Sequence, residues 1–293
     1  MNTVQPGILA SVPRLARYLV FSLAPSSDPR DALTRLSDTT DGEKTVVGIG
    51  LSVVLALGKS LEGLSVFPAY SGAGFDVPST PGALWCWLRG DDRGELLHRG
   101  RILAQTVSPA FRLGTVIDAF QYGPGLDLTG YEDGTENPTG EQAHAVAIVR
   151  ERGEGLDGSS FVAVQQWVHN LTRFESMSVS EQDHTIGRRK RDNEEIAEAP
   201  ASAHVKRTAQ ESFKPDAFVL RRSMPWADAT GEGLVFVAFG ASFHPFEHLL
   251  TRMVGAEDGI PDALFTFTRP ISGNYFWCPP VHAGTLELRA LAL

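Results

Sequence analysis

The sequence predicts an α+β fold in which helices pack on antiparallel sheets. Segments with the two-residue rhythm of a strand alternate with segments of helical spacing along the whole chain, and this alternation runs through two halves of comparable length. The composition agrees. Of 293 residues, 42% are hydrophobic and 21% charged, the balance of a globular protein long enough for one large domain or two of ordinary size.

In the first half, residues 17–23 read as a strand. Residues 28–38 read as a short helix opened by Ser27-Asp28-Pro29. Residues 45–57 read as a strand, or as a strand running into a helix. Residues 83–88 set Leu84, Cys86 and Leu88 against Trp85 and Trp87, the pattern of a strand buried on both faces. Residues 95–105 carry Leu96, Leu97, Ile102 and Leu103 at helical spacing, and residues 111–122 form a strand ended by Gly123-Pro124-Gly125. The second half resumes with a strand over 160–168. Ser178-Val179-Ser180-Glu181 has the form of a capping box and opens a short helix. Residues 188–200 read as an exposed loop, 217–221 and 233–240 as strands, 244–254 as a helix with Leu249, Leu250 and Met253 on one face, and 274–278 as a last strand.

Charge and cysteine usage exclude several classes of function. The formal net charge of −9 argues against general affinity for nucleic acid or for an anionic membrane surface. The longest apolar run, residues 46–57, is broken by Gly48, Gly50 and Ser52 and falls short of a membrane span. The two cysteines, Cys86 and Cys278, each lie in an apolar aromatic stretch and read as small buried hydrophobes, without a CxxC pattern. Residues 1–13 do not have the pattern of a secretory signal. Together with the absence of a disulfide framework, this leads us to expect a cytoplasmic protein.

The most informative run is Gly130-Tyr131-Glu132-Asp133-Gly134-Thr135-Glu136-Asn137-Pro138. Glycines on both sides of Asp133 allow positive φ and close approach of the backbone, so one carboxylate can be aimed at a fixed point. Taken alone, the glycines and aspartate read more readily as an Asx turn between two strands. Two further runs follow in the chain. One is Ile186-Gly187-Arg188 with Ser202-Ala203-His204-Val205 after it, and the other is Leu220-Arg221-Arg222-Ser223-Met224-Pro225.

Together these runs resemble the dye-decolorising peroxidases, a family of haem enzymes, with the Gly-x-x-Asp-Gly signature filled by Gly130, Asp133 and Gly134. The resemblance spans most of the chain, from about Arg17 to Pro279-Pro280, and is strongest between Gly130 and Met224. It implies a tandem of two ferredoxin-like modules, residues 1–140 and 141–293, the second carrying most of a haem b site. It implies His204 as the iron ligand, Asp133 and Arg221 on the distal side of the haem, Ser223 as a polar neighbour, Arg188 as a propionate partner and Glu136 as a further cofactor-binding residue. The activity implied is reduction of hydrogen peroxide with oxidation of small organic donors such as dyes or phenols, by a homo-oligomer. The alternative is a haem-binding protein that carries haem or releases its iron, with incidental peroxidase activity.

The residue types suit the chemistry. Peroxide must lose a proton and have it returned before its O–O bond breaks, which a carboxylate can do. A fixed guanidinium offsets the negative charge that develops. Arginine pairs bidentately with a propionate, and imidazole is a common axial ligand of haem iron. Arg221 and Arg222 are adjacent, so in a strand they point to opposite faces, and one of them is expected to be solvated. Among the eight histidines, His184, His244 and His248 are the rivals of His204. His244 and His248 share an i,i+4 spacing without the glutamate of an HExxH pair or a third ligand, so no zinc site is expected there. The acidic partner that orients a ligand histidine is open among Asp262, Glu194 and Glu195. Trp85, Trp87, Trp167, Trp226, Trp277 and Tyr131 are the aromatic residues available to carry electrons.

Overall fold

A computed structural model of the protein describes residues 3–72 and 75–293. A short helix α1 (Pro6–Leu9) precedes strand β1 (Leu15–Leu23), helix α2 (Arg30–Thr39), β2 (Thr45–Ile49) and α3 (Leu51–Ala56). The paired strands β3 (Tyr70–Gly72) and β4 (Phe75–Val77) come next, then β5 (Leu84–Gly90), α4 (Arg93–Val107) and β6 (Phe111–Phe120). The second half runs α5 (Gly140–Ala147), β7 (Ser160–His169), α6 (Leu171–Glu175), α7 (Val179–Ile186) and α8 (His204–Arg207). It continues with β8 (Leu220–Arg221), β9 (Met224–Asp228), β10 (Gly231–Gly240), α9 (His244–Met253), β11 (Thr268–Pro270) and β12 (Asn274–Cys278), and ends in β13 (Val281–His282) and β14 (Thr285–Leu286).

The strand order shows the tandem directly. In the first half the four main strands lie in the order β2-β5-β1-β6, and in the second β9-β10-β7-β12, so each half uses its second, third, first and fourth strand in turn. This is the ferredoxin-like order, and all the pairings within both halves are antiparallel. The last strand of each half meets the second strand of the other, β6 against β9 at Ala119–Trp226 and β12 against β2 at Trp277–Ile49. With β7 also paired to β10, the sheet closes on itself and leaves β8 and β11 as its added edges.

Closure separates the apolar residues into two cores. The inner face holds Tyr18, Trp85, Trp87, Phe239 and Phe276, whose rings pack at centroid distances of 6.1–6.4 Å. The outer core holds Leu19, Phe21, Cys86, Leu88, Phe161 and Trp277 with the apolar faces of α2, α4 and α9. β5 therefore buries Leu84, Cys86 and Leu88 on one side and Trp85 and Trp87 on the other, as its pattern predicts. Cys86 and Cys278 are buried, unpaired and in different cores. All five tryptophans are buried, as is Tyr131, so none of the aromatic residues proposed as electron carriers presents its ring at the surface.

Local signals account for most helix starts. Asp92 caps α4 through the Glu95 N–H at 2.8 Å, and Ser178 with Glu181 forms the expected capping box on α7. Residues 45–57 resolve as β2 followed by α3, with Gly50 between them. Residues 217–221 contribute only the two-residue β8, while β9 begins inside the Leu220–Pro225 run. Arg222 corrects the expectation that one of the adjacent arginines is solvated. It is buried and donates from Nε to the Ile8 carbonyl at 3.1 Å and from Nη2 to the Leu9 carbonyl at 2.9 Å. Those carbonyls end α1 and have no helical partner of their own, so a buried guanidinium meets otherwise orphaned acceptors. Desolvation lowers its pKa to about 10, and Arg89 adds to the effect.

The seam between β2 and β12 is reinforced by one side chain from outside the sheet. Gln5, fully buried, donates from Nε2 to the carbonyls of Val47 (2.8 Å) and Pro279 (3.0 Å), and its Oε1 accepts from Val47 N–H at 2.8 Å. Leaving such groups buried and unpaired costs about 1–3 kcal/mol apiece. Gln5→Ala is expected to lower the unfolding free energy by about 3 kcal/mol in a urea titration, and a change below about 1 kcal/mol would show that the amide does not hold the seam.

Candidate active site

A cavity opens between the outer face of the second module's sheet and helices α8 and α9. The outer face of β7 changes character along its length: Phe161 and Ala163 join the apolar core, whereas Gln165, Trp167 and His169 line the cavity. β10 contributes Leu234 and Phe236, α9 contributes Phe246, Leu249, Leu250 and Met253, and His204 projects from the start of α8. Asp133 and Arg221 line the same cavity.

The signature run reaches the cavity through backbone geometry that glycine permits. Gly130 and Gly134 both have φ of 83°, in the left-handed region, and a Cβ on Gly130 would meet Lys190 Cε at 2.7 Å. The turn-forming aspartate of this segment is Asp127, whose Oδ1 accepts from Thr129 N–H (2.8 Å) and hydroxyl (2.6 Å). Asp133 is thereby released to face the cavity. Asn137, four residues on, holds the loop to β8: its Nδ2 donates to the Arg221 carbonyl and its Oδ1 accepts from Arg221 N–H, both at 2.9 Å. One amide thus fixes the arginine relative to the aspartate.

His204 is held from the other side. Its Nδ1 lies 2.8 Å from Asp262 Oδ2, and Asp262 is buried and also accepts from Leu264 N–H at 2.8 Å. A carboxylate only accepts, so Nδ1 carries a proton, and in the neutral ring the lone pair is on Nε2. Of the three acids left open by the sequence, Asp262 is the partner. Glu194 and Glu195 instead pair with Arg189 and Lys206. Gly187 explains the Ile-Gly-Arg run. It ends α7 with φ of 95°, and a Cβ there would lie 2.2 Å from Val205 Cγ2, so only glycine lets α7 and α8 approach.

The cavity wall carries a graded electrostatic field. Burial raises the Asp133 pKa above the usual carboxylate value, and the charge of Asp127 adds to this. The opposing pull of Arg221, His204 and the Gly134 amide does not cancel it. Asp127 is held below its ordinary value, because hydrogen bonds from His169 and Thr129 outweigh its desolvation. His169 Nε2 lies 3.1 Å from Asp127 Oδ2 and its Nδ1 lies 2.6 Å from Thr268 Oγ1, so the ring is held at both nitrogens. Three N–H donors on the lining side chains, Gln165 Nε2, Trp167 Nε1 and Arg221 Nε, are buried without a hydrogen-bond partner.

The remaining residues expected from the sequence lie around this center. Ser223 lines a second, smaller pocket that shares Asp133 and Arg221 with the first, and its hydroxyl accepts from Val237 N–H at 3.3 Å. Arg188 and Glu136 are not among the lining side chains; they pair with each other at 2.7 Å, and Arg188 also donates to the Asn193 carbonyl at 3.0 Å. Gln210, which lines the cavity, donates to the Glu136 carbonyl at 3.1 Å and ties that pair to the wall. His244 is exposed beside Glu247, and His248 stacks on Phe213. Sequence reasoning missed Asn137, Asp127, His169 and Gln165. A signal for the last two existed: polar side chains at alternate positions of an otherwise apolar strand.

Comparison with known proteins follows from this geometry. The family model for the C-terminal part of Dyp-type peroxidases matches residues 125–283, more than half of the chain, and the chain belongs to that peroxidase family. A dye-decolorizing peroxidase of Mycobacterium tuberculosis is 29% identical over 94% of this chain and 88% of its own. A crystal structure of a putative Dyp-type peroxidase from Shewanella oneidensis is 27% identical, covers 99% of this chain and 98% of its own, and superimposes with a TM-score of 0.88. A variant of DypB from Rhodococcus jostii, solved in complex with heme, shares the fold at a TM-score of 0.84 with 24% identity, over 93% of this chain and 94% of its own.

The Asn137 clamp gives a test of the site's construction. Asn137→Ala leaves an N–H and a carbonyl of Arg221 without their partner, for a loss of about 2 kcal/mol in chemical denaturation. The expected companion effect is weaker protection of the Arg221 amide in hydrogen exchange. Unaltered exchange at Arg221 would show that the clamp is not what holds it.

Proposed function

We propose that this cavity holds haem b and that the protein uses it to reduce hydrogen peroxide at the expense of small organic donors such as phenols or dyes. The observation that carries the reading is the pairing of His204, whose Nδ1 is held by Asp262, with cavity-lining side chains that keep buried N–H donors without a partner within the chain. An imidazole nitrogen suits an iron ligand, and the apolar lining from Leu234, Phe236, Leu249 and Phe267 suits a porphyrin. When bound, haem supplies an iron center at which the peroxide O–O bond is cleaved and two oxidising equivalents are retained.

The chain's own residues have separable tasks. His204 would bind the iron through Nε2, and Asp262, accepting from Nδ1, would fix the tautomer, orient the ring and raise its basicity as a ligand. Asp133 takes a proton from the incoming peroxide onto its carboxylate and returns it to the departing oxygen. Arg221 sets a fixed positive charge beside the reacting oxygens. Ser223 and the smaller pocket offer peroxide a polar approach to the same two residues. Arg188 would pair with a propionate, and Glu136, now its ion-pair partner, would be a further cofactor-binding residue.

A division into modules 1–140 and 141–293 agrees with the strand order and leaves every proposed haem contact except Asp133 and Glu136 in the second. Two buried free cysteines suit a reducing, cytoplasmic setting. No helix among the described residues is long and apolar enough to cross a membrane. Exposed Leu97 and Ile102 on α4, with Leu113 and Val116 on the adjoining β6, offer apolar surface for assembly into a homo-oligomer.

Visible spectroscopy tests the reading. His204→Ala is expected to abolish or greatly loosen haem binding, whereas His244→Ala and His248→Ala keep the Soret band. A normal histidine-ligated spectrum in His204→Ala would contradict the assignment. In stopped-flow mixing with peroxide, Arg221→Ala is expected to slow the Soret change by about 10² to 10³ and Asp133→Ala by less, since water can relay a proton but cannot supply fixed charge. A slower Asp133 variant would reverse that ranking.

The pH dependence follows from the direction of the Asp133 shift. Its base form is required, and burial raises its pKa, so the reaction with peroxide falls as pH drops through a value above that of an ordinary carboxylate. Steady-state dye oxidation is expected to be best on the acid side of neutrality, so the two profiles separate. In Asp133→Asn the acid limb of the peroxide reaction disappears; its persistence would show that another group titrates.

A further inference from the structure

Arg207 is one of the few charged side chains that the fold buries, and it has no part in the peroxide chemistry. It sits three residues after His204 in α8, on the turn that its own N–H closes with the Ala203 carbonyl at 3.0 Å. Its Nη1 donates to Asp258 Oδ2 at 2.7 Å, and its Nη2 donates to Asp258 Oδ1 at 2.8 Å and to the Arg252 carbonyl at 2.6 Å. The first and second of these bonds form the bidentate fork that arginine offers a carboxylate, and the third meets a carbonyl in the last turn of α9. Hydrogen bonds from Arg207, and then from the Ile260 N–H, lower the Asp258 pKa to about 2, so the pair stays ionised through mild acid.

The residues after Asp258 lead directly to the acid that holds His204. Asp258 Oδ1 also accepts from the Ile260 N–H at 3.0 Å, Gly259 turns the chain with φ of 78°, and Pro261 fixes its own backbone. Asp262 comes next. Its N–H donates to the Met253 carbonyl at 2.7 Å and its Oδ1 accepts from Leu264 N–H at 2.8 Å, which leaves Oδ2 for His204 Nδ1 at 2.8 Å. The contacts make a closed circuit: from His204 along one turn of α8 to Arg207, across to Asp258, four residues on to Asp262, and back to His204. Asp262 can withdraw from the histidine only if the tight turn over 258–261 flexes or the fork opens.

We propose that Arg207 and Asp258 are positioning residues that keep the Asp262 carboxylate against His204 and thereby set the balance between ferric and ferrous haem, an inference that rests on the haem reading of the site. A carboxylate held against Nδ1 makes the imidazole a stronger donor through Nε2. A stronger donor favours ferric over ferrous iron, so a firmly held contact lowers the reduction potential and a loosened one raises it. Arg207 acts on the cofactor only through Asp262. The helix that carries the ligand histidine thus also carries the group that grips the loop bearing its acid partner.

The test measures the ferric–ferrous midpoint potential of the haem-loaded protein and the iron–histidine stretching frequency of its ferrous form. Changing an outer partner of a metal ligand moves metal-linked equilibria by about 10- to 100-fold. Arg207→Met and the exposed Asp258→Asn are each expected to shift the balance toward ferrous haem by about tenfold, an upward change of about 59 mV for one electron, and to lower the stretching frequency. Asp262→Asn is expected to do at least as much, and adding Arg207→Met to it to change nothing further. Gln5→Ala, destabilising but remote, is expected to keep both wild-type values. Wild-type values in Asp258→Asn, an equal shift in Gln5→Ala, or additive shifts in the double variant would each overturn the proposal, and Asp258→Asn decides it even where Arg207→Met does not fold. In the haem-free protein, nuclear magnetic resonance is expected to show a slowly exchanging His204 Nδ1 proton that is lost in Asp258→Asn. A protein that binds no haem overturns the site reading, and the clamp then falls as well if that proton persists in Asp258→Asn.

Discussion

One sheet has to serve two cores, and that constraint organises the molecule. Closing two ferredoxin-like modules through β6–β9 and β12–β2 turns one face of every main strand inward, where large aromatic side chains fill the space. The outer face is left to the helices. In the first module α2 and α4 cover it with apolar contacts, and in the second β7 changes from Phe161 and Ala163 to Gln165, Trp167 and His169 before it ends. Polar side chains cannot be packed under a helix without partners, so the helix layer stands off and a cavity remains. The site is therefore a part of the core built with donors in place of methyl groups.

Around that cavity, charge is arranged in opposing pairs held by second contacts. Asp262 orients His204, Asn137 orients Arg221, and Thr268 with Thr129 orients the His169–Asp127 pair. The result is that two aspartates six residues apart are driven in opposite directions. Asp127 is stabilised as an anion by its donors, while Asp133 is raised by burial and by the neighbouring charge of Asp127. Two carboxyl groups with separated proton affinities are what proton movement at one site requires. Asp133 is the one whose hold on its proton is strengthened.

How much of this was legible in the sequence depends on the range of the interaction. Alternation and capping signals placed β5, β10, α4, α7 and α9 closely, because those elements are decided by side chains a few residues apart. The tandem was legible only through resemblance. The strand order that shows it is set by pairings between residues tens to more than a hundred positions apart, such as Val164 with Val237 and with Asn274. Asp133, His204 and Arg221 could be named only through the resemblance that their short runs carry: glycines mark the turn around Asp133, but nothing local separates His204 from seven other histidines or Arg221 from Arg222. Asn137 and Asp262 left no local mark: an amide clamping a backbone 84 residues away, and an acid 58 residues from its histidine, have no spacing to betray them. Arg222 misled for a related reason, since its acceptors are the end of a helix more than two hundred residues earlier.

The central claim is that one cavity presents His204 to a haem from one side and Asp133 with Arg221 from the other. The most direct measurement is a crystal structure of the haem-loaded protein. The account predicts iron bound by His204 Nε2, the Asp262 contact retained, Asp133 and Arg221 facing the opposite haem surface, and the unpaired donors of Gln165, Trp167 and Arg221 satisfied by the cofactor, its ligands or ordered water. Iron held by another side chain, or Asp133 and Arg221 on the same side of the haem as His204, would contradict it.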